Sequence, residues 1–381
     1  MPPIKKIRVL VADDSTFMCK VLKEIINGDP QLEVAGQARD GREAVALAET
    51  LKPDVITMDI NMPHLDGLQA TELIMSQNPR PIVIVSSESR EGAVETLRAL
   101  ELGAIDFVPK PSSGIDLDMR DVREELTRKL KMAAKVHVVR TATRAKVEMP
   151  AAWVTTTRPA MTRSTTVPDQ AVARRPSGLD QNGNKIPVVV IAASTGGPAA
   201  VMRVVSGLPK NLQAAVLLVL HMPGAFTQPF TAQLGEISQL PVKEAEHNET
   251  MQAGMIYLCP GSHHVRLSFT GRLNLDPGER IDGYRPCADV AIESVAAHTR
   301  AATVAVVLTG MGNDAAKGVK FAKAAGGYVI AQDEATSMIF GMPAEAIKTG
   351  AVDEVLALEE ISTAIEKRVA QIARLVPVGA R

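Results

Sequence analysis

Residues 187–198 read PVVVIAASTGGP, an apolar run that stops at a hydroxyl pair, two glycines and a proline. A run of Val, Ile and Ala bounded by such punctuation is the pattern of a strand buried on both faces. Gly196-Gly197-Pro198 then opens an apolar-periodic stretch, and proline is preorganised for a first helical turn. Strand, tight turn and helix form the unit of a parallel α/β sheet, which sets the fold class of this half of the chain. Three readings of Ser194 remain open locally: a helix cap, part of a phosphate cradle, or a nucleophile. Taken alone, the cap fits best, since serine is a preferred N-cap residue. No GxxxxGK[ST] pattern supports a nucleotide loop. A-A-S-T-G does approach the nucleophile-elbow pattern GxSxG, with Ala192 in place of the first glycine.

Outward from this stretch the alternation continues. AAVLLVLH, TVAVVLTG and YVIAQ read as buried strands, ADVAIESVAAH and AAKGVKFAKAAGG as helices, and a last helix is expected over residues 359–375. MIYLCP, HHVRLSF and RLNLDP are shorter strand-like pieces that predict an antiparallel hairpin insert in a mostly parallel sheet. The N-terminal part repeats the pattern with IRVLVA, LEVAGQA, DVITM, PIVIVS and IDFVP as five strands. TFMCKVLKEIIN, GREAVALAET and EGAVETLRALELG read as helices between them, and another is expected over residues 121–135. The chain is therefore predicted to be α/β, with two doubly wound domains. The expected boundaries are 1–127, a basic helix end and flexible linker over 128–185, and 186–376. Eleven Lys/Arg against two acids between Arg128 and Pro176 mark that linker, best read as a solvated tether.

Composition narrows the function classes. A length of 381 residues, 46% hydrophobic content and a net charge of −1 fit a two-domain globular protein without bias towards nucleic acid or membrane. No apolar run approaches the roughly 18 residues of a spanning helix, and no signal-peptide pattern opens the chain. Cys19, Cys259 and Cys287 form no CxxC pair, so a cytoplasmic location is expected. An aromatic content of 3% disfavours stacking on single-stranded nucleic acid.

In the N-terminal half, polar residues fall at the carboxyl ends of the expected strands, where open α/β sheets place ligands. Asp13-Asp14 ends the first, Asp59 the third, Ser86 the fourth, and Lys110 follows the fifth. Clustered carboxylates repel one another and favour a hard divalent cation such as Mg²⁺, and a nearby lysine can pair with a phosphoryl group. These residues, over about positions 5–125, resemble the receiver domain of two-component response regulators, a flavodoxin-like five-stranded parallel fold. The resemblance implies that Asp59 accepts the phosphoryl group and that Asp13, Asp14, Asp59 and the backbone carbonyl of Asn61 hold Mg²⁺. It further implies that Ser86 and Lys110 contact the phosphoryl group, with Phe107 at the position of the switch aromatic.

In the C-terminal half the partners of Ser194 decide its reading. His221 ends the next strand, and Asp314 follows Thr309-Gly310-Met311-Gly312-Asn313 at the end of another. A hydroxyl, an imidazole and a carboxylate can thus meet in one crevice, where the histidine activates the serine and the carboxylate orients the histidine. The order Ser…His…Asp differs from that of α/β-hydrolases. The glycines around Met311 would let backbone N–H groups approach an oxyanion, a role the turn at Thr195 could share. His263 and His264 are expected to shape a substrate rim. His247 and His298 are expected to face solvent or cap helices, His64 and His137 have no evident partner, and no metal-ligand spacing such as HExxH occurs.

IAASTGGP, LHMPGAFT, YLCPGSHHV, RPCADV, LTGMGNDAA and QDEATSMIFGMPAEAI, spread over residues 187–375, resemble the catalytic domain of the chemotaxis protein-glutamate methylesterase family. The resemblance implies a serine hydrolase needing no cofactor for hydrolysis, with Ser194 as nucleophile, His221 as general base and Asp314 as orienting carboxylate. Met311 and Thr195 are the oxyanion candidates. The implied substrates are glutamate γ-methyl esters, and selected glutamines, on methylated chemoreceptor cytoplasmic domains. The implied phosphodonor is a chemotaxis histidine kinase, with neither nucleic acid nor membrane insertion involved. Ala192, Leu220, Cys287 and Ala315 depart from the usual Gly, Gln, Ser and Gly, which bears on rim contacts and specificity. A receiver tethered to a catalytic half also predicts a resting state in which the unphosphorylated receiver covers Ser194. Rival readings are a phosphorylation-switched binding protein with weak or lost esterase activity and an esterase for a non-receptor protein. A DNA-binding regulator is disfavoured because the second half lacks a compact helix-turn-helix module.

Overall fold

The five apolar runs of the N-terminal part pair side by side in parallel. They are β1 (Ile7–Ala12), β2 (Leu32–Ala38), β3 (Val55–Met58), β4 (Ile82–Ser86) and β5 (Asp106–Pro109), in the order β2-β1-β3-β4-β5. The computed structural model describes residues 5–87, 89–110, 116–136 and 186–375, so the expected linker beyond position 136, with His137, lies outside the described residues. The helices are α1 (Thr16–Asn27), α2 (Gly41–Leu51), α3 (Gly67–Gln77), α4 (Arg90–Glu101) and α5 (Asp116–Ala133). Ser15, Asp40, Asp66 and Ser89 accept backbone N–H bonds at the starts of α1 to α4, which satisfies donors that a helix leaves free. Helix α5 begins five residues earlier than its apolar pattern suggests, because its first turn, DLDM, is acidic and carries no core residue pattern. Its Leu126, Leu130 and Ala133 are buried against Leu22, Ile25 and Val83.

The C-terminal half comprises β6 (Val188–Ala193), α6 (Gly197–Ser206), β7 (Ala215–Leu220), α7 (Gly224–Ile237), β8 (Val242–Glu244), β9 (Met255–Leu258), β10 (His264–Leu267) and β11 (Leu273–Asp276). There follow α8 (Ala288–Thr299), β12 (Thr303–Val307), α9 (Ala316–Ala324), β13 (Tyr328–Gln332), α10 (Met342–Lys348), β14 (Glu354–Leu356) and α11 (Leu358–Leu375). Seven strands form one sheet in the order β14-β13-β12-β6-β7-β9-β8, and every pairing in it is parallel. The antiparallel insert is the hairpin β10–β11, a sheet of its own. MIYL, grouped with that insert on sequence, joins the main sheet as β9, since three of its four residues are buried and need cover on both faces.

The two halves share an apolar core. Helix α4 packs on α7, and the Phe107 ring at β5 lies 4.3 Å from that of Phe226 on α7. Polar contacts flank this pair. Thr195 Oγ1 donates to Asp106 Oδ2 at 2.6 Å, and Gln233 donates to Glu101. Among the described residues no helix is long and apolar enough to cross a membrane.

Candidate active site

Register carries three side chains to one place. Ala193 of β6 pairs with Leu220 of β7, and Ala192 with Val307 of β12. Ser194 therefore leaves the sheet between His221 and Thr309, one step past the paired strands. His221 N donates to Ala193 O and Ser194 N to Thr309 O, each at 3.1 Å. Ser194 is not the helix cap. Gly196, at φ +73°, takes that position, while Ser194 O accepts the Gly197 N–H at 2.7 Å to close the turn. Ala192 lies within β6 rather than in the turn, so its methyl group meets no strain there. Glycine is required at 310, where a Cβ would come within 2.9 Å of Ser194 Cβ and 2.4 Å of Met342 Sδ.

His221 Nε2 lies 2.8 Å from Asp314 Oδ2, so the ring donates its Nε2–H to the carboxylate. Its Nδ1 is buried and has no hydrogen-bond partner among the described residues, so it can accept a proton. Asp314 is 2% exposed and sits at the start of α8, whose Ala288 N and Asp289 N donate to it at 2.6 and 2.9 Å. Ala315 N and the Cys287 thiol add contacts at 3.1 and 3.2 Å. Burial pushes the Asp314 carboxyl up, but His221 and these helix N–H donors outweigh it and hold it below the usual carboxylate range. Burial, then the Asp314 charge, pushes the Cys287 thiol up to about 12, so the residue acts as an S–H donor in the place usually held by serine.

Several residues take places that sequence did not assign. His264 is 1% exposed and does not line a rim. Its Nδ1 accepts Cys287 N–H at 3.2 Å and its Nε2 donates to Glu279 O at 2.9 Å, which fixes a neutral ring behind the start of α8. The hint was its place at the head of a strand-like run, next to Val265. His263 is half-buried and bonded to Ser262. His247 Nδ1 accepts from Leu275 N in a loop contact. Tyr284 stacks on His221 with ring centroids 4.5 Å apart, and a Cβ at Gly312 (φ +92°) would strike its hydroxyl at 2.0 Å. Nothing local in the sequence marks Tyr284, while Gly312 marks a close approach without naming its partner. Met311 is half-buried beside the site, whereas the Thr195 hydroxyl is engaged by Asp106. Ala315 adopts φ +90°, a conformation that suits the glycine usual there. Leu220 is buried in the core.

In the N-terminal half the carboxylates at the strand ends lie close together. Asp13, Asp14 and Asp59 bring carboxylate oxygens within 4.8 Å of one another, and Lys110 Nζ bridges Asp13 at 3.0 Å and Asp59 at 2.8 Å. Burial and then the Asp13 charge raise the Asp59 carboxyl above its ordinary value, although Lys110 pulls the other way. Three hard oxygen donors facing one cation suit a divalent ion such as Mg²⁺. Asn61 Nδ2 donates to Glu95 Oε2 at 3.3 Å, so its side chain points to α4 and its backbone carbonyl is the candidate ligand. Ser86 Oγ bonds Gly92 O at 3.2 Å rather than reaching towards Asp59. Phe107 is buried. Lys129 Nζ, beneath it, donates to Phe107 O at 2.6 Å and Asp106 Oδ1 at 3.1 Å.

A cavity of about 970 Å³ joins the two regions, lined by Ser87 and Lys110 as well as by Ser194, His221 and Tyr284.

Comparison with known proteins finds relatives for both halves of the chain. The response regulator receiver domain family matches residues 9–120, and the CheB methylesterase family matches residues 189–365. A protein-glutamate methylesterase/protein-glutamine glutaminase of Pyrococcus abyssi is 42% identical over 371 residues, 97% of this chain and 95% of its own. The chain belongs to the CheB methylesterase family. Another relative of the same description, from Symbiobacterium thermophilum, is 43% identical over 372 residues, 96% of this chain and 98% of its own. Among solved structures, the Thermotoga maritima CheB methylesterase catalytic domain aligns at TM-score 0.47 and 38% identity, over 48% of this chain and 98% of that one.

Proposed function

We propose that this chain is a phosphorylation-regulated protein-glutamate methylesterase with glutaminase activity, acting in chemotaxis or a chemotaxis-like pathway. The observation that carries the reading is the His221–Asp314 bond, which leaves the imidazole Nδ1 unpartnered beside the strand end that bears Ser194. Ser194 Oγ attacks the side-chain carbonyl carbon while His221 Nδ1 takes its proton. The C–O bond to the methoxy group then breaks, and methanol leaves with the proton returned by the imidazolium. Water gives a proton to His221 and attacks the acyl-serine, which releases glutamate and restores the hydroxyl. With glutamine the same steps release ammonia. Asp314 fixes the ring and stabilises the imidazolium, and the Met311 N–H and Thr195 are the candidate oxyanion donors.

Asp59 is the proposed phosphoacceptor, with Ser86, Phe107 and Lys110 as switch residues. Asp13, Asp14, Asp59 and the Asn61 carbonyl would hold Mg²⁺, which offsets charge on the phosphoryl oxygens when bound. A phosphoryl group adds about two negative charges beside Lys110. That competes with the Lys110 bridges to Asp13 and Asp59 and resets β5, whose Asp106 and Phe107 touch Thr195 and Phe226. The seated receiver walls the cavity over Ser194, which supports a resting state closed to a protein substrate. The proposed partners are methylated chemoreceptor cytoplasmic domains and a chemotaxis histidine kinase, in the cytoplasm. The proposed units remain 1–127, a basic helix end and flexible linker over 128–185, and 186–376. Methanol release from methylated receptor preparations, with and without acetyl phosphate, tests the reading. Release that rises with acetyl phosphate and vanishes in Ser194→Ala supports it; no release in either condition overturns it.

A further inference from the structure

The cavity that opens on Ser194 and His221 has a helix for its opposite wall. Val122, Glu125 and Lys129 of α5 line it together, at the three- and four-residue spacing of one helix face. Glu125 pairs with Lys129 at 2.9 Å and is mostly covered. Burial raises its carboxyl, yet Lys129, Arg128 and, across the cavity, Arg280 together bring it below its ordinary value. The charge of Arg128 in turn reaches Tyr284, the ring stacked on His221. A helix that carries a glutamate therefore already lies over the site proposed to act on glutamate side chains.

The charges on the loop that faces α5 are not equivalent. Asp282 is neutralised by Lys317 at 2.6 Å. Arg285 Nη1 is committed to Pro277 O and Gly278 O, at 3.2 and 2.9 Å. Among the described residues Arg280 makes one long hydrogen bond, to Gly283 O at 3.4 Å, and is exposed. It is the cation on this rim left to attract an external carboxylate.

We propose that α5 stands in the resting chain where a substrate helix docks, with Glu125 in the place of an acidic residue that flanks the ester, and that Arg280 reads that acidic residue on the substrate. The proposal rests on the esterase reading and adds a specificity residue to it. One cation then serves two competing ligands, so its loss loosens the plug and weakens the substrate at once. An ordinary steric plug does not link those two effects.

The test uses the full chain, with and without acetyl phosphate. Its probes are p-nitrophenyl acetate and two helical peptides bearing a glutamate γ-methyl ester, flanked by Glu in one and by Gln in the other. Arg280→Glu is expected to raise resting p-nitrophenyl acetate hydrolysis about twofold, the scale of a solvent-screened charge interaction between two walls of one cavity. It is also expected to raise KM for the Glu-flanked peptide by a similar factor, with kcat and the Gln-flanked peptide unchanged. Adding Glu125→Lys to Arg280→Glu restores the resting inhibition. Equal effects on the two peptides, an unchanged resting rate, or no restoration in the double variant overturns the proposal. Hydrolysis that persists in Ser194→Ala instead overturns the esterase reading itself.

Discussion

Each sheet carries a buried aspartate just past a parallel strand, Asp59 after β3 and Asp314 after β12, and the two have opposite surroundings. Asp59 faces two further carboxylates with one lysine among them, and its carboxyl is raised. Asp314 faces helix N–H groups, a thiol and an imidazole, and its carboxyl is lowered. Burial pushes both up, so the neighbours decide the sign. An aspartate short of donors is poised to take a cation or a phosphoryl group. One saturated with donors is fixed as a charge and can only orient something else. In the proposed chemistry the reacting atom is accordingly Asp59 itself in the first sheet and Ser194, not Asp314, in the second.

Removing the reacting atom gives the largest effect. Ser194→Ala is expected to lower kcat for methanol release by at least about 10⁴-fold. A loss below tenfold would place the nucleophile elsewhere. Asp314→Asn is expected to cost about 10³–10⁴-fold in rate, since an amide fixes neither ring tautomer nor charge. It is also expected to lower stability by about 2 kcal/mol in urea unfolding, because its N–H donors lose an ionic acceptor. Asp59→Asn moves the other way. It relieves carboxylate repulsion, is expected to raise stability by about 1 kcal/mol, and abolishes stimulation by acetyl phosphate. Loss of stability in both Asn variants would break the contrast.

Acid separates the two sites as well. The stabilisation from Asp314 is present above the unfolded carboxylate pKa of about 3.9 and is lost as pH falls through its lower folded value. The penalty from Asp59 is present above its raised folded value and disappears as pH falls through it. The stability difference between wild type and Asp59→Asn is therefore expected to shrink on acidification, before that for Asp314→Asn does. A smaller effect tests the support of Asp314 from behind. His264→Ala is expected to lower kcat about tenfold with KM unchanged, and His264→Asn, which keeps an acceptor near Nδ1, to recover part of it. The smallest is Ala315→Gly, which relieves a positive φ and is expected to add up to about 1 kcal/mol with activity unchanged.

Much of this was legible because both sheets place their chemistry at strand ends. Apolar runs located the strands, and the polar residue after each run located Asp13, Asp59, Lys110, Ser194, His221 and Asp314. The strands β8 and β14, with three residues each, are too short to show a period, and β9 was misgrouped because it follows a loop rather than a long helix. His264, Tyr284 and Asp106 act through partners distant in the chain, at separations of 23 residues for His264–Cys287 and 89 for Asp106–Thr195. No local pattern encodes such pairings. The glycines around Met311 did signal close approach, and the structure adds what they approach, Ser194 and Tyr284.

The Phe107–Phe226 contact gives the proposed resting state a thermal signature. Both rings are nearly inaccessible, at 2% and 0% exposure, so lifting the receiver hydrates two aromatic faces and raises the heat capacity. The free energy of closure then follows a curve in temperature with a maximum, and falls away on cooling as well as on heating. Basal activity relative to the phosphorylated enzyme should pass through a minimum at an intermediate temperature, and a cell that cools would find its esterase partly unlatched without any signal from the kinase.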